Sequence, residues 1–254
     1  MDWTAQVFNY CERGLDPAFW AEPLNALSNA AFLLAAGLTA QRLQALPEAA
    51  PNDWRERGNR LVLWTLVLLV IAIGTGSFLF HTLATRWALI ADVGPITGFM
   101  VVYLAYALRT LVGLGWLTTL AILPAFVAAG AIGGEVTCSG GADASGAAEP
   151  CLNGSLGYLP ALLSLWIIGL VLVSRGNAQG RHLLGAGAVF LVSILLRTLD
   201  RDACAATRLL GHARGTHVFW HLLNGLTLYL LLDAAVRRHI EDLNRDRAPD
   251  RKST

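Results

Sequence analysis

The stretch LVLWTLVLLVIAIGTGSFLF occupies residues 61–80 and is followed at once by His81. It contains no charged residue, and it has the length of about 20 residues that an α-helix needs to cross a bilayer. Of the 254 residues, 55% are hydrophobic and only 15% charged, whereas soluble domains have about 25% charged residues. The sequence therefore predicts an all-α, polytopic membrane protein. We expect seven spans, at 24–41, 61–80, 88–108, 111–132, 156–174, 182–199 and 217–236.

The distribution of basic residues predicts how these spans are oriented. Most of the 19 Lys and Arg residues flank one side, which is the cytoplasmic side by the positive-inside rule. The N-terminus is then outside and the C-terminus inside. We expect an extracytoplasmic segment at 1–23, a seven-helix domain at 24–236 and a basic cytoplasmic tail at 237–254.

Composition also bears on partners and location. The net charge of +1 argues against nucleic-acid binding, which needs a basic face, and no obligate protein partner is evident. All basic residues except Lys252 are Arg, which favours a GC-rich bacterial source. The expected location is the bacterial inner membrane, with the lipid bilayer as the surroundings.

All four cysteines, Cys11, Cys138, Cys151 and Cys204, fall on the predicted external side, where an oxidising compartment permits disulfides. Cys138 and Cys151 flank a glycine-rich loop and can close it locally, which would leave Cys11 to bond with Cys204. Four cysteines allow three connectivities, and four free thiols are the alternative.

Three histidines are predicted to lie at one depth, at the external ends of their helices. His81 follows the second span, and His217 and His221 open the seventh at i, i+4 spacing, which places both imidazoles on one helix face. Three nitrogen ligands with a fourth position left for water are typical of catalytic zinc. The alternative is three interfacial, hydrogen-bonded residues. The other histidines are interpreted as solvated: His182, His212 and His239.

Asp92 lies inside the third span, about one turn from its start. An unpaired carboxylate there costs roughly 2.5–3.5 kcal/mol on insertion scales, and residues that bear this cost mark functional sites. We interpret Asp92 as a general base, with a hydrogen bond to a neighbouring helix as the alternative. Ser77 lies one turn before His81 and on the same helix face.

A polar stripe of Glu22, Asn25 and Asn29 begins the first span. Lipid would not accommodate it, so it must face the bundle. Oxygen-rich side chains and carbonyls suit a hard cation such as Ca2+, and helix capping is the alternative. At the end of the sixth span four residues are interpreted as an interfacial charge cluster, with inward pairing of Asp200 as the alternative: Arg197, Asp200, Arg201 and Asp202.

In their order, these motifs resemble the alkaline ceramidases, from about Asn9 to Tyr229. The serine, aspartate and histidine positions also mark the wider seven-helix hydrolase superfamily that includes the adiponectin receptors. The motifs are Glu22-x-x-Asn25-x-x-Ser28-Asn29, Ser77-x-x-x-His81, Asp92-x-x-Pro95, Asp200-x-x-x-Cys204 and His217-x-x-x-His221.

The resemblance implies an integral-membrane zinc amidase that hydrolyses ceramide to a sphingoid base and a fatty acid. It implies Zn2+ on the three histidines, with Ser77 and Asp92 completing the active site, and a disulfide between Cys11 and Cys204. It also implies a Ca2+ site. The calcium ligands would be Asn9, the Tyr10 carbonyl, Glu12, Gly14 and Glu22. The family has an acidic residue in place of Asn9 and a side-chain ligand in place of Gly14. Asp16 would substitute for the ligand that Gly14 lacks.

Two alternatives stay open. One is a hydrolase of another N-acylated lipid, such as an N-acyl amino acid or N-acyl ethanolamine. The other is a seven-helix receptor or scaffold with a structural zinc site, which would have four protein ligands rather than three.

Overall fold

The computed structural model describes residues 2–47, 53–142, 148–209 and 211–247. Within these residues 75% of the structure is helical, and seven helical segments are long and apolar enough to cross a membrane. The predicted all-α class and the number of spans are therefore confirmed. The segments are Pro23–Gln44, Trp54–Leu83, Arg86–Val112, Trp116–Glu135, Cys151–Ser174, Gln179–Thr198 and His217–Asp246.

Eight α-helices and two short hairpins make up the described part of the chain. The helices are α1 Pro23–Ser28, α2 Ala30–Gln44, α3 Trp54–Leu83, α4 Arg86–Tyr106, α5 Trp116–Glu135, α6 Leu159–Ser174, α7 Gln179–Thr198 and α8 His217–Arg247. The antiparallel hairpins are β1 Thr137–Ala142 with β2 Ala148–Pro150, and β3 Arg208–Leu209 with β4 His212–Ala213. A π-helical turn, Ala107–Val112, extends α4, and a 3-10 segment, Cys151–Tyr158, precedes α6.

Local signals account for the bounds of α3, the helix that carries Ser77 and His81. The Asp53 side chain caps its first turn by accepting a 2.8 Å hydrogen bond from the Glu56 amide, which satisfies one of the free N–H groups at a helix start. The helix ends at Leu83, and the next residue, Ala84, has a left-handed φ of 47°. His81 therefore lies in the last turn, next to the reversal into α4.

All seven spans differ from their predicted bounds at one or both ends, and the second begins at Trp54 rather than at 61. The third continues through the π-helical turn to Val112, so the fourth begins at Trp116 rather than at 111. The seventh does not end at 236, because α8 continues into the expected tail as far as Arg247. Residues 248–254 of that tail lie outside the described residues.

Two glycines allow helices to approach each other closely. A Cβ on Gly76 would lie 1.9 Å from the Ala91 carbonyl oxygen, and a Cβ on Gly225 would lie 2.7 Å from the Ala31 Cβ. Small residues at such crossings let helix backbones come together. Gly76 thus brings α3 against α4 next to Ser77 and Asp92, and Gly225 brings α8 against α2.

The N-terminal segment is held against the end of the bundle where the three histidines lie, here called the histidine end. The Val7 amide donates a 2.7 Å hydrogen bond to the Ala84 carbonyl, and Gln6 forms a β-bridge with Thr85. Cys11 is disulfide-bonded to Cys204, and Cys138 to Cys151. Both predicted cysteine pairs agree with the structure.

One histidine interpretation is wrong. His239 is buried rather than solvated, because α8 continues as a packed helix beyond the predicted end of the span. His212 is exposed and His182 is half-buried.

Candidate metal centre

The structure brings His81, His217 and His221 together. All three rings are buried, and one possible ligand atom from each lies within 4.8 Å of the others. His81 comes from the last turn of α3, and the other two from the first turns of α8. This is the only such group of His, Cys, Asp and Glu found among the described residues, and it could hold a metal ion.

Hydrogen bonds fix which ring nitrogens are free. His81 Nδ1 lies 2.6 Å from Glu22 Oε2. His221 Nδ1 lies 2.8 Å from the Ser28 hydroxyl, which itself donates to the Asn25 carbonyl and so accepts from the ring. Both rings therefore carry their proton on Nδ1 and leave Nε2 as a lone-pair donor. Carboxylate and hydroxyl partners of this kind orient ligand histidines in zinc sites.

Among the three clustered histidines, two buried ring nitrogens find no hydrogen-bond partner within the described part of the chain: His81 Nε2 and His217 Nδ1. A buried polar atom without a partner costs about 1–3 kcal/mol. A metal ion would satisfy such nitrogens, so the histidines fit the Zn2+ that the sequence predicts. Imidazole nitrogens also suit copper, iron and nickel.

Ser77 and Asp92 lie at the same centre. The Ser77 hydroxyl is 3.4 Å from His221 Nε2 and lies beside the Asp92 carboxylate. Asp92 is buried, and it is also close enough to His81 for their charges to interact. The structure thus assembles all five predicted centre residues, with a carboxylate and a hydroxyl next to the imidazoles.

Glu22 connects the N-terminal segment to this centre. Burial alone would raise the pKa of its carboxyl, but hydrogen bonds from His81, Asn25 and Arg13 outweigh burial and lower the pKa. Glu22 is therefore ionised. An ionised partner strengthens the electron donation of His81 toward a metal.

Asp200 is a buried anchor rather than part of an interfacial charge cluster. Its carboxylate accepts hydrogen bonds from the amides of Cys11 (3.0 Å), Thr216 (2.7 Å) and His217 (2.8 Å). A carboxylate at a helix N-terminus stabilises the free N–H groups there. Asp200 thus fixes the start of α8, where His217 and His221 lie, and ties it to the N-terminal segment. The alternative of inward pairing is confirmed.

Two further residues at the centre were not predicted. The Tyr10 ring stacks on His217, with centroids 3.8 Å apart. Arg197 is half-buried, with its guanidinium 5.5 Å from the ring centroids of both Tyr158 and Trp220. Its charge also acts on Asp92. An arginine three residues before Asp200 gives no sequence signal of its own, and only the tertiary fold reveals its position.

The residues expected to bind Ca2+ are engaged in other interactions. Glu12 accepts from the amides of Leu24 and Asn25 and pairs with Arg214 at 3.1 Å. Glu22 is bound by Arg13 and His81. The Tyr10 carbonyl accepts from the Gly14 amide, the Asn9 carbonyl accepts from Arg201, and Asp16 caps the Ala18 amide. Calcium takes six to eight oxygen ligands, and this arrangement does not fit it.

An apolar cavity adjoins the histidines. Its volume is about 80 Å³, and it is partly open to the outside. Phe32 and Trp220, two of its lining residues, also contact the centre: their rings lie 6.1 Å from His221 and 6.3 Å from His217. Its lining is predominantly hydrophobic and aromatic, as in sites that bind apolar ligand groups. The lining also includes Ile73, Phe99, Tyr103, Leu165 and Phe190.

Replacing Gly76 with alanine should disturb the centre through the α3–α4 crossing. The added Cβ would overlap the Ala91 carbonyl, so α4 must move, and Asp92 moves with it. We expect a loss of about 1–3 kcal/mol in unfolding free energy, as for other overpacked sites, visible as a lower thermal midpoint. Gly94→Ala is the matched control on α4, since a Cβ there meets nothing within 4 Å; equal midpoints for the two variants would contradict the tight crossing.

No protein-family model matches the chain, and no curated protein sequence matches it.

Proposed function

We propose that this protein is an integral-membrane, zinc-dependent amidase of the alkaline ceramidase type. It hydrolyses the N-acyl bond of ceramide, or of a related N-acyl lipid, to a sphingoid base or other amine and a free fatty acid. One observation carries the proposal: three buried imidazoles, Ser77 and Asp92 converge beside an apolar cavity. The motif order from Asn9 to Tyr229 adds the resemblance to that family.

The protein residues divide the chemistry among them. His81, His217 and His221 would hold Zn2+, which when bound lowers the pKa of a water and polarises a carbonyl. Asp92 accepts the proton of the attacking water and later delivers a proton to the leaving amine, a role that needs a carboxylate within hydrogen-bond reach. Ser77 donates a hydrogen bond to the oxyanion that develops on the amide carbonyl.

The apolar cavity supports a lipid substrate. Its lining is almost entirely aliphatic and aromatic, which favours the burial of an acyl chain because each buried methylene contributes about 0.8 kcal/mol. Phe32 and Trp220 contact both the cavity and the histidines. A chain that enters the cavity therefore brings its carbonyl end to the imidazoles.

The membrane orientation belongs to the same proposal. The excess of Arg on the side opposite the histidine end favours a cytoplasmic location for that side, and the active site would then face the extracytoplasmic side of a bacterial inner membrane. Two disulfides at the histidine end agree with an oxidising compartment there.

A receptor or scaffold with a structural zinc is the second candidate. Structural zinc sites are closed by four protein ligands, whereas the group found among the described residues has three histidines. Ser77 and Asp92 lie where a substrate would react, which favours the enzyme.

Lipid profiling tests the proposal. The purified, metal-replete protein is incubated in lipid nanodiscs with ceramide, N-acyl ethanolamines and N-acyl amino acids, and the products are quantified by mass spectrometry. We expect equimolar fatty acid and amine from at least one of these amides, ceramide first. Absence of hydrolysis across the panel, with zinc bound, would support the receptor.

Ser77→Ala should slow hydrolysis while leaving the metal in place. Loss of one oxyanion donor costs roughly 2.7–4 kcal/mol, or about 10²–10³ in kcat. The variant should keep the zinc content of the unmodified protein, since the serine is not among the ligands. Turnover equal to that of the unmodified protein would remove Ser77 from the mechanism.

A further inference from the structure

Arg13 is a fully buried cation next to the metal centre. Its side chain has no exposed surface, and an arginine has five N–H donors. Its nitrogens make five contacts, all with oxygen. Nε pairs with Glu22 Oε1 at 2.6 Å, Nη1 donates to the carbonyls of Asp16 and Ala18 at 3.0 Å each, and Nη2 donates to the carbonyls of His81 at 2.8 Å and Thr82 at 3.3 Å.

The acceptors around Arg13 are unusual for an ion pair, because most of them are backbone carbonyls. Burying a guanidinium costs several kcal/mol unless its charge and all its donors are matched. Here one carboxylate and four backbone carbonyls surround the charge. Such oxygen ligands are the ones that hard cations prefer. The guanidinium therefore already fills a cation-binding pocket between the N-terminal segment and the end of α3.

Arg13 acts on the predicted ligand His81 in two ways, indirectly through Glu22 and directly through a hydrogen bond to the His81 backbone. Through Glu22, whose second oxygen accepts from His81 Nδ1 at 2.6 Å, Arg13 acts on the imidazole. Through Nη2 it holds the His81 backbone carbonyl directly. Both the ring and the backbone of one metal ligand thus depend on this single guanidinium.

Two of the three carboxylates expected to bind calcium at this place are already paired with an arginine. Arg13 neutralises Glu22, and Arg214 pairs with Glu12 while two amides occupy the same carboxylate. Asp16 is exposed, and its carboxylate faces the Ala18 amide. A divalent cation would have to displace two arginines to bind through both Glu12 and Glu22.

We propose that Arg13 is a built-in cation that replaces calcium at this site: it positions Glu22 and His81 for metal binding, and the protein neither binds nor needs Ca2+ there. The proposal rests on the proposed three-histidine metal site but not on the identity of the lipid substrate. Arg13 is a positioning residue, since it acts through Glu22 and His81.

The first test uses the unmodified protein with Ca2+ alone. Isothermal titration calorimetry and thermal unfolding in millimolar Ca2+ should show no saturable binding and no shift of the midpoint. Stoichiometric Ca2+ binding, or stabilisation by Ca2+, would overturn the proposal whatever the variants do.

The second test uses Co2+ in place of the native metal, because its visible spectrum reports ligand geometry. Arg13→Gln should weaken Co2+ affinity about 10–100-fold, as loss of an outer partner does, and should alter the spectrum. Arg13→Lys, which keeps the charge, should restore much of both. Arg86→Gln, an exposed arginine at the same end, is the control.

The remaining outcomes separate the two proposals. Unchanged Co2+ affinity and spectrum in Arg13→Gln would overturn the role of Arg13 and leave the amidase standing. Failure of the unmodified protein to bind Co2+ or Zn2+ would overturn the three-histidine site itself, and with it the proposed function, whereas the Ca2+ titration would still decide whether the N-terminal segment takes calcium.

Discussion

Replacing Asp92 with asparagine is expected to lower kcat for amide hydrolysis by about 10²–10⁴-fold, the range of a lost general base. The amide keeps the shape of the side chain but cannot accept the proton of the attacking water. Because Asp92 is not among the three grouped histidines, zinc content should not change. Turnover and metal content are measured on the same preparation.

Asp202→Asn is the matched control for this variant, since Asp202 is exposed near the histidine end. It should leave turnover unchanged. If Asp92→Asn retained full activity, or lost its metal together with its activity, Asp92 would not be the base.

Replacing one of the three proposed metal ligands should have the second large effect on zinc binding and hydrolysis. His217→Ala is expected to weaken zinc affinity by more than about 100-fold. That factor is the upper end of the loss caused by removing a residue that only hydrogen-bonds to a metal ligand. Hydrolysis should fall to background with the metal. Metal content after dialysis, compared with turnover at increasing Zn2+, measures both quantities.

His212→Ala serves as the control for the ligand variant, because this histidine is exposed and lies five residues before His217 on the same side of the bundle. It should bind zinc and turn over as the unmodified protein does. A His217→Ala variant that retains tight zinc would show that the metal is held elsewhere.

Local sequence patterns were sufficient to predict the seven spans and the grouping of the histidines. The apolar runs near residues 61–80 and 217–236 have the length of a membrane helix. The i, i+4 spacing of His217 and His221 places both side chains on one helix face. The chain order of the cysteines and their predicted side favoured a pair of Cys11 with Cys204 but left other connectivities open, and the family resemblance implied that pair.

Residues that depend on tertiary contacts were harder to predict. Asp200 and Cys11 are separated by 189 positions, yet the Asp200 carboxylate accepts the Cys11 amide. The stacking of Tyr10 on His217 similarly joins the first and last parts of the site. No local pattern marks such pairs, because each partner by itself looks like an ordinary loop residue.

Arg13 illustrates a second reason for a missed assignment. Acidic residues around it, such as Glu12 and Glu22, indicate an oxygen-rich cation site, and the sequence pattern is the same whether the cation is a metal or an arginine. Only the contacts of the guanidinium with Glu22 and the backbone carbonyls distinguish the two.

The observed ends of the third and seventh spans differ from the predicted ends for another reason. Both helical segments continue through polar residues once their other face is packed.

The most direct test of the central claim combines metal analysis with product analysis on one preparation. We expect one zinc per chain and equimolar release of fatty acid and sphingoid base from ceramide, both abolished by complete chelation and both restored by adding Zn2+ back. Ceramide hydrolysis that continues after all metal has been removed would contradict it.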